Sequence, residues 1–574
     1  MVRSDAELFV VDDVVNGRIT RRDLVRWGAA LGLSGPAIAG LQTSADASAA
    51  AQNATPGMDA GGAADTGLLT APESNPKRGG TLRTAFGVTT TSYDIHQGGN
   101  IAVLTHMYDG LVRFNPLDGL QTIIPSLAKE WEVSDDSLAY TFHLRDGVTF
   151  HDGEPLTADD VVATFSRVIA PPENVVSVMR AFFRSVESVE SVDPLTVRFN
   201  LSEPQADLMP ALAAPFSVIY SKKALDENNQ DLRGVVAPGT GPYVYEEYQQ
   251  DERWILTRNP DYWNAELPYV DQLELLHVAT WSDRGTAVLT GQADFSWNVS
   301  RETFDEGQRR DDVAAKEVPS VGCYTVIINT QREPFSDPRV RRAMYLVLNR
   351  QALIQAFQTQ ETIALTRWVS HANEYAMSPE EIAQLPGYRA DKTEDIETAK
   401  NLLAEAGYPD GFNGIELLSA SVPPHAEIMA PAIQDMLSST LNIQAEIRVT
   451  ERSLLFEEES SGSFDLVLDT PTIAISDFSA VGNLYFTSDG SQNFGTYANP
   501  EFDELLHAAD LELDQARRGD ILRQIEDVLD QDPPWLLVGW TFHLPMWQAY
   551  VKGVNMEERT QSVWGRLDTA WLDQ

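Results

Sequence analysis

The segment between residues 125 and 172 constrains the fold more than any other, because strand, turn and helix signals follow one another within it. From 139 to 144, apolar and polar residues alternate, which is the pattern of a half-buried strand. Gly147 then offers a residue that tolerates positive φ in a turn. Thr157, three residues before Asp160, is typical of a helix N-terminus, and an apolar stripe follows it. The segment predicts an α/β unit.

The same alternation of strand-like and helix-like segments continues along the chain. Asp337 followed by Pro338 predicts the start of one helix, and Asn499 followed by Pro500 predicts another. Thr393 opens a third helix, which carries apolar residues on one face. This alternation is typical of an α/β protein, and a chain of 574 residues is long enough for more than one domain.

Charge and composition exclude several classes of function. The net charge of −43 argues against nucleic acid and anionic lipid as partners, because both require cationic residues to neutralise them. No run of eighteen apolar residues is present, so the sequence predicts no membrane-spanning helix. The nine histidines are scattered, and we expect neither a metal site nor a cofactor. The single cysteine, Cys323, cannot form an internal disulfide, and its apolar neighbours predict a buried strand.

Short sequence motifs within these segments recur in a known protein family. The run from Pro125 to Val161, PSLAKEWEVSDDSLAYTFHLRDGVTFHDGEPLTADDV, resembles the signature segment of the family 5 extracellular solute-binding proteins, the dipeptide, oligopeptide and nickel binders of ABC importers. Further matching motifs follow in the same order along the chain: GTGPY at 239–243, RNPDYW at 258–263, FSDPRVRRA at 335–343, AGYPDGF at 406–412 and NPEFDELL at 499–506. The resemblance runs from about residue 78 to the C-terminus.

This resemblance implies an α/β fold of two lobes, the type II-like periplasmic-binding-protein fold. Lobe one is expected to be discontinuous and to contain an extra subdomain. The expected ranges are 79–320 and 536–574 for lobe one, about 114–215 for its subdomain, 321–535 for lobe two, and 318–329 and 533–543 for the hinge crossovers.

The resemblance also places the ligand site between the two lobes, which close upon the solute in this family. Aromatic walls with a few polar groups suit such a site. The eight residues expected at or near the cleft are Tyr93, His96, Trp297, Tyr324, Thr470, Asp477, Phe478 and Trp540. For any single aromatic residue among them, a position in the hydrophobic core is the alternative.

The expected cargo stays open between peptides and other small solutes. Peptide-binding members usually carry a Gly-Trp-x-x-Asp segment, whose Asp pairs with the α-ammonium group of the peptide. The corresponding stretch from Phe464 to Phe478 lacks the Gly-Trp pair, and Asp477 aligns either with that Asp or with a following Asp-Pro. Sugars, opines and nickel complexes are further solutes that the resemblance allows.

The N-terminus has the pattern of an export signal. Arg21 and Arg22, followed by a weakly apolar, glycine-rich run and A-x-A sequences, resemble a twin-arginine signal over 1–49. An amphipathic helix with a chance arginine pair is the alternative. Residues 50–78 are predicted to be a flexible leader, because they hold too little apolar surface to offset ordering. We expect the twin-arginine translocase as a partner, a periplasmic or extracellular location, and no lipid anchor.

The resemblance implies a binding protein, and we expect no catalytic residues. The expected function is the substrate-binding component of an ABC importer, acting as a monomer with the permease subunits as partners. A secreted hydrolase is the alternative from another class: the sequence lacks a Walker lysine motif and a G-x-S-x-G elbow, but paired carboxylates show only in three dimensions. A solute sensor on the same scaffold is a third hypothesis.

Overall fold

The structure is a computed structural model, and it describes residues 69, 71, 73, 75–87, 89–118, 122–357, 362–421, 425–471, 475–554 and 566–574, without the side chains of residues 425, 426 and 453. The predicted signal over 1–49 lies outside the described residues, as does the predicted leader up to residue 68. All described residues belong to one structural unit, 63–574.

Strands and helices alternate through this unit. The strands are β1 (Thr81–Phe86), β2 (Val112–Phe114), β3 (Ile123–Pro125), β4 (Ala128–Val133), β5 (Ala139–Leu144), β6 (Val186–Asp193), β7 (Thr196–Leu201), β8 (Tyr243–Gln249), β9 (Arg253–Arg258), β10 (Gln272–His277), β11 (Phe295–Ser296), β12 (Val313–Ala315), β13 (Val318–Ile328), β14 (Ile363–Ala364), β15 (Phe412–Ala420), β16 (Ile443–Thr450), β17 (Leu466–Asp469), β18 (Trp535–His543), β19 (Met546–Gln548), β20 (Val551–Lys552) and β21 (Trp571–Leu572).

The helices lie between these strands and after them. The α-helices are α1 (Ile101–Leu104), α2 (Ala158–Ile169), α3 (Leu208–Ala213), α4 (Lys222–Glu227), α5 (Trp281–Leu289), α6 (Arg301–Gly307), α7 (Pro338–Val347), α8 (Arg350–Phe357), α9 (Pro379–Ile382), α10 (Thr393–Glu405), α11 (Ala430–Leu441), α12 (Arg452–Ser460), α13 (Phe478–Tyr485), α14 (Pro500–Leu511) and α15 (Gln515–Gln531). Short helical turns of other types span Ile95–Gln97, Arg180–Phe183 and His425–Met429. The predicted α/β class is confirmed.

A seven-stranded mixed sheet forms the first lobe, in the order β12-β19-β11-β1-β10-β9-β8. Strand β1 lies parallel to both β10 and β11, with Thr81 opposite Gln272 and Thr84 opposite Phe295. The remaining strands run antiparallel to their neighbours. Because β19 comes from the C-terminal part of the chain, this lobe is discontinuous in sequence.

A six-stranded sheet forms the second lobe, in the order β14-β18-β13-β17-β15-β16. Strands β15, β16 and β17 are parallel to one another, and β13 runs antiparallel to β17 and β18. The inner strand β13 is buried along its whole length, which explains its run of apolar residues. Cys323 lies on this strand at 1% exposure, and burial raises the pKa of its thiol, so the predicted packed thiol is confirmed.

The segment singled out in the sequence forms a separate antiparallel sheet, in the order β4-β5-β7-β6. The alternating run is β5, with Tyr140, Phe142 and Leu144 buried. Before α2, the backbone N–H and the hydroxyl of Thr157 donate to the Asp160 carboxylate at 2.9 and 3.0 Å. The strand and helix predicted here are confirmed. We call the sheet β4–β7, with the turns that flank it, the subdomain.

The chain crosses between the two large sheets twice. It leaves the first sheet after β12 and enters the second at β13, and it returns after β18 to β19. Strands β13 and β18 pair along most of their length, with Val318 opposite His543 and Ile327 opposite Trp535. These strands coincide with the predicted crossovers. The predicted lobe boundaries, at 320 and 535, stay a prediction.

Each lobe has its own hydrophobic core. One cluster of buried residues joins the first sheet to the subdomain, and a second surrounds the second sheet. Among the helices in the described ranges, none is long and apolar enough to cross a membrane. The last residues of the predicted leader contact the first lobe: Ala71 N–H donates to the Tyr269 hydroxyl at 3.0 Å, and Lys77 pairs with Asp573 at 2.7 Å.

Candidate functional site

The carboxyl ends of parallel strands mark the candidate site in each lobe. In open α/β sheets, ligands bind in the crevice outside these ends. In the first lobe, β11 ends at Ser296 beside β1, and Trp297 follows directly. In the second lobe, β17 ends at Asp469 beside β15, and Thr470 follows. Each lobe therefore places one residue predicted from the sequence at such an edge.

Trp297 is held firmly at the edge of the first sheet. Its ring stands edge-on to Phe295 at 4.9 Å, and the side chain is half-buried. The next residue, Asn298, accepts a hydrogen bond through its side chain from Leu544 N–H at 2.8 Å. Because Leu544 follows β18, this loop is tied to the segment through which the chain crosses between lobes.

A buried guanidinium lies at the same edge. Arg284 of α5 donates from Nε to Val278 O at 2.7 Å and from Nη2 to Ala279 O at 2.8 Å, at the end of β10. Its side chain passes over Gly87, where an added Cβ would lie 1.5 Å from Nη2. Burial lowers the pKa of Arg284 to about 10. Glycine at position 87 is therefore required by this arginine, which the sequence analysis did not single out.

The edge of the second sheet carries two carboxyl groups and one arginine. Arg452, at the start of α12, pairs with Asp469. Glu459, on the same helix, is 2% exposed, and its Oε1 has no hydrogen-bond partner within the described part of the chain. Burial raises the pKa of Glu459 to about 8, and the nearby Asp469 charge adds to the rise. Glu459 is therefore neutral at pH 7.

Tyr324 and Trp540 lie on the paired crossing strands. Tyr324 is 2% exposed and stands edge-on to Phe357 at 5.1 Å. Trp540 is equally buried, and its Nε1 donates to Arg367 O at 3.2 Å. Both belong to the core of the second lobe. Both therefore pack as core residues, which is the alternative given above for each aromatic residue. A ligand contact by either one stays a prediction.

Two neutral histidines lie where the crossing strands leave the second lobe. His543 Nε2 lies 3.0 Å from Ser320 Oγ. The His371 ring lies 4.5 Å from Phe542, and neither of its nitrogens has a hydrogen-bond partner among the residues described. Burial lowers the pKa of His371 and that of His543 to about 4. Sequence reasoning missed both residues, because an isolated histidine carries no pattern.

Tyr93 and His96 lie together on the first lobe, near the turn Ile95–Gln97. Tyr93 is half-buried and edge-on to Trp254 at 5.7 Å. His96 is 1% exposed, within 3.4 Å of an Arg167 nitrogen, and burial lowers its pKa to about 4. The buried pair of Arg167 and Asp94 fixes this turn.

Asp477 and Phe478 begin α13 in the second lobe. Asp477 caps the helix by accepting from Ser479 N–H at 2.8 Å, and both of its oxygens accept from Arg518 at 2.9 Å. Burial opposes the charged form, but Arg518 lowers the pKa of Asp477 overall. Phe478 is 1% exposed in the second core. The pairing with Arg518 already satisfies the Asp477 carboxylate.

The same region joins the two lobes directly. Arg184, which precedes β6 of the subdomain, pairs with Asp510 of α14 at 2.8 Å. Ala206 N–H donates to the Asp510 backbone oxygen at 2.9 Å. Ile475 and Ala480 of the second lobe pack into the core of the first lobe. The two lobes are therefore in direct contact at this junction.

The eight predicted residues fall into four groups. Thr470, Asp477 and Phe478 share one segment of the second lobe, and Tyr324 lies close to Trp540 because Cys323 is opposite Trp540 on the paired strands. Trp297 and the pair Tyr93 and His96 belong to the first lobe. Contact with a ligand stays a prediction for all eight. No group of His, Cys, Asp and Glu able to hold a metal is present among the residues covered by the structure.

Comparison with known proteins decides the family. The profile of the bacterial extracellular solute-binding proteins, family 5 (middle part), matches residues 122–493. The chain belongs to this family. The resemblance inferred from the sequence is therefore confirmed, and this family 5 protein is built for binding a solute.

The names of its relatives indicate that they bind different solutes. Haem-binding protein A of Haemophilus influenzae is 28% identical over 483 residues, which is 78% of this chain and 84% of that protein. The glutathione-binding protein GsiB of Escherichia coli K12 is 25% identical over 458 residues, 78% of this chain and 86% of its own.

Solved structures of the family share the fold. DppA of Helicobacter pylori, in complex with the peptide STSA, superposes with a TM-score of 0.72 at 24% identity and covers 87% of this chain and 99% of its own. AgaA of A. tumefaciens R10, in complex with agropinic acid, gives a TM-score of 0.74 at 24% identity, with 86% and 99% covered. The family 5 protein is therefore a two-lobed periplasmic-binding-protein fold, as the sequence predicted.

Proposed function

We propose that this protein receives a peptide or another small solute between its two lobes and delivers it to the permease of an ABC importer. The family match over residues 122–493 is the observation that carries the proposal. The two lobes joined by β13 and β18 supply the hinged geometry that the function needs.

Closure follows from binding because the solute contacts both lobes. A ligand shifts an equilibrium only through its different affinity for the two states. A solute that touches the Trp297 edge and the Thr470 edge together binds the closed form more tightly than the open one. The permease then distinguishes loaded from empty protein by shape.

The proposal includes no catalytic step. The buried acids at the candidate site are held in fixed roles: Asp477 by Arg518 and Asp469 by Arg452. Glu459 is neutral at pH 7 since burial raises its pKa to about 8. The alternative of a secreted hydrolase would require turnover of a solute, and the alternative of a sensor would require a membrane receptor in place of a permease.

Identifying the solute that the protein releases on denaturation tests this function. We expect mass spectrometry of the denatured, freshly purified protein to reveal a small molecule that rebinds in a one-to-one ratio and raises the melting temperature. We expect small-angle scattering to show a smaller radius of gyration with that molecule than without it. Conversion of the molecule to a product, or no bound solute and no response to any solute offered, would contradict the proposal.

We also propose export through the twin-arginine translocase, to a periplasmic or extracellular location, and a monomeric state. Replacing Arg21 and Arg22 by Lys is expected to retain the precursor in the cytoplasm, because that route reads the arginine pair. The control is the same protein with its signal unchanged. Export of the double-lysine variant at the normal rate would show another route.

A further inference from the structure

We infer that the second lobe binds a small organic carboxylate in a cavity between α7 and α10. The cavity has a volume of about 390 Å³ and is lined by these two helices, the turn before α10 and the end of α15. These elements all belong to the second lobe, whereas its part of the candidate cleft lies at the carboxyl ends of its strands. The inference therefore goes beyond the proposed function and does not depend on which solute the cleft carries.

The two helices that form the cavity pack against each other and are tied at both ends. Arg339, near the start of α7, donates to the backbone oxygen of Glu405, the last residue of α10, at 2.9 Å. Lys392, just before α10, donates through Nζ to Leu346 O, near the end of α7, at 2.9 Å. The helices are therefore antiparallel, and the cavity lies between fixed walls.

The guanidinium of Arg342 is the chemical feature that points to an anion. This side chain lines the cavity and is only 8% exposed, and its Nη1 donates to the backbone oxygen of Asp530. The Asp530 carboxylate is already bound by Arg367 Nη2 at 2.8 Å and by Trp368 Nε1 at 2.9 Å. Within the described part of the chain, no carboxylate pairs with Arg342. Because a guanidinium has five N–H donors, most of those on Arg342 are left for a ligand.

Further positive charge lies behind Arg342. Arg350 is 1% exposed, and its hydrogen bonds go to backbone oxygens, including Leu537 O at 2.8 Å and Tyr345 O at 3.2 Å. Burial lowers the pKa of Lys392 to about 8, and the charge of Arg350 adds to this fall. In a chain with a net charge of −43, this part of the second lobe is therefore a local region of uncompensated positive charge.

The two acids on the cavity wall, Glu394 and Asp395, are already paired and do not offset Arg342. Arg389 pairs with both of them, and Lys392 pairs with Asp395 at 3.2 Å. Arg339, the third arginine of the cavity, pairs with Asp337 at 2.6 Å, although Asp337 is not among the lining residues. An anion that enters the cavity therefore meets one guanidinium that lacks a carboxylate partner, and carboxylates suit the planar geometry of such a group.

The rest of the lining favours an organic anion over an inorganic one. Leu346 and Leu402 line the cavity together with Pro338 and Pro386, so part of its wall is apolar. A carbon chain would bury apolar surface against this wall, which phosphate cannot do. The single unpaired guanidinium matches one carboxylate group.

Calorimetric titration of the purified protein with hexanoate, at constant ionic strength, tests the site. We expect saturable binding in a one-to-one ratio with a Kd on the order of 1 mM. Arg342→Gln should weaken binding by about tenfold or more, because the charged hydrogen-bond donor is lost. Hexan-1-ol, which has the same carbon chain without the charge, should bind about tenfold more weakly than hexanoate, and inorganic phosphate should also bind more weakly.

A second variant and two controls keep the test decisive. Thr398 lines the cavity and is exposed, so Thr398→Trp should obstruct the site without disturbing the core, and it decides if Arg342→Gln does not fold. Arg517→Gln, at an exposed arginine of the same lobe, and Trp297→Ala, at the candidate cleft, should bind hexanoate normally. No saturable binding, binding unchanged in the folded cavity variants, equal loss in either control, or tighter binding of phosphate would overturn the inference, even where the cleft binds its solute.

Discussion

At the scale of single residues, burial decides what each polar group of the candidate site can do. Asp477, which is predicted at the cleft, and Asp469 are each paired with an arginine. Glu459 has no such match and holds a proton at neutral pH, because burial raises its pKa to about 8. These differences do not follow from residue type, since all three are acids.

The Glu459 proton predicts a pH dependence of stability. Its pKa is about 8 when folded against an ordinary value of 4.5, so between these values the folded state holds a proton that the unfolded chain has released. The free energy of unfolding should therefore fall as the pH rises through this window, by about 1.4 kcal/mol per pH unit at most, and level off above it. Thermal melts from pH 5 to 9 should show a flatter profile for Glu459→Gln. Identical profiles would contradict the assignment.

Two tryptophans of the predicted site should behave differently when truncated. Trp540→Ala removes a 2% exposed side chain from the second core and is expected to cost about 3–5 kcal/mol of stability. Trp297→Ala alters a half-buried ring and should cost less, while weakening solute binding. Urea titration and calorimetric binding to the released solute separate the two effects. A Trp297→Ala variant with unchanged affinity would remove this residue from the site.

At the scale of elements, the predictions that rest on local chemistry are confirmed. The helix starts at Pro338 and Pro500 follow from Asp337 and Asn499, which cap α7 and α14. The helix α10 begins at Thr393. These signals act within a few residues, so the folded context does not override them.

The capping carboxylate of α2 gives a further prediction at this scale. Asp160 accepts from the N–H and the hydroxyl of Thr157, and from Lys222 N–H of α4 at 2.8 Å. Asp160→Ala should lower the free energy of unfolding by about 2–3 kcal/mol, because three partly buried donors lose their charged partner. The neighbouring Asp159 is exposed, so Asp159→Ala should cost less than about 0.5 kcal/mol. Equal losses in urea titration would mean that the cap does not join α2 to α4.

At the scale of the whole molecule, the net charge of −43 opposes the compact, folded state. Salt screens this repulsion, and the Debye length falls from about 10 Å at 0.1 M to about 3 Å at 1 M. We expect the melting temperature to rise as KCl increases from 0.05 to 1 M. The buried pair of Arg184 and Asp510 is shielded from salt, so Asp510→Asn should show the same salt response. A melting temperature that falls with KCl would show that exposed ion pairs outweigh the repulsion.

The sequence by itself determined the family, the two-lobed α/β fold and the segments that cross between lobes. The evidence in the sequence was local: the alternation of apolar and polar residues, helix caps, and motifs that recur in the family in the same order. Such signals depend on neighbours in the chain, and they survive without knowledge of the folded contacts.

Only the tertiary structure decided how charges are partnered. Arg184 and Asp510 are 326 positions apart (510 − 184), and no periodicity links them. The sequence shows Asp510 only as an acid near the end of an amphipathic helix. Whether an acid is solvated, paired or protonated depends on the cations and the solvent that folding brings to it, and those distances exist only once both lobes have formed and met.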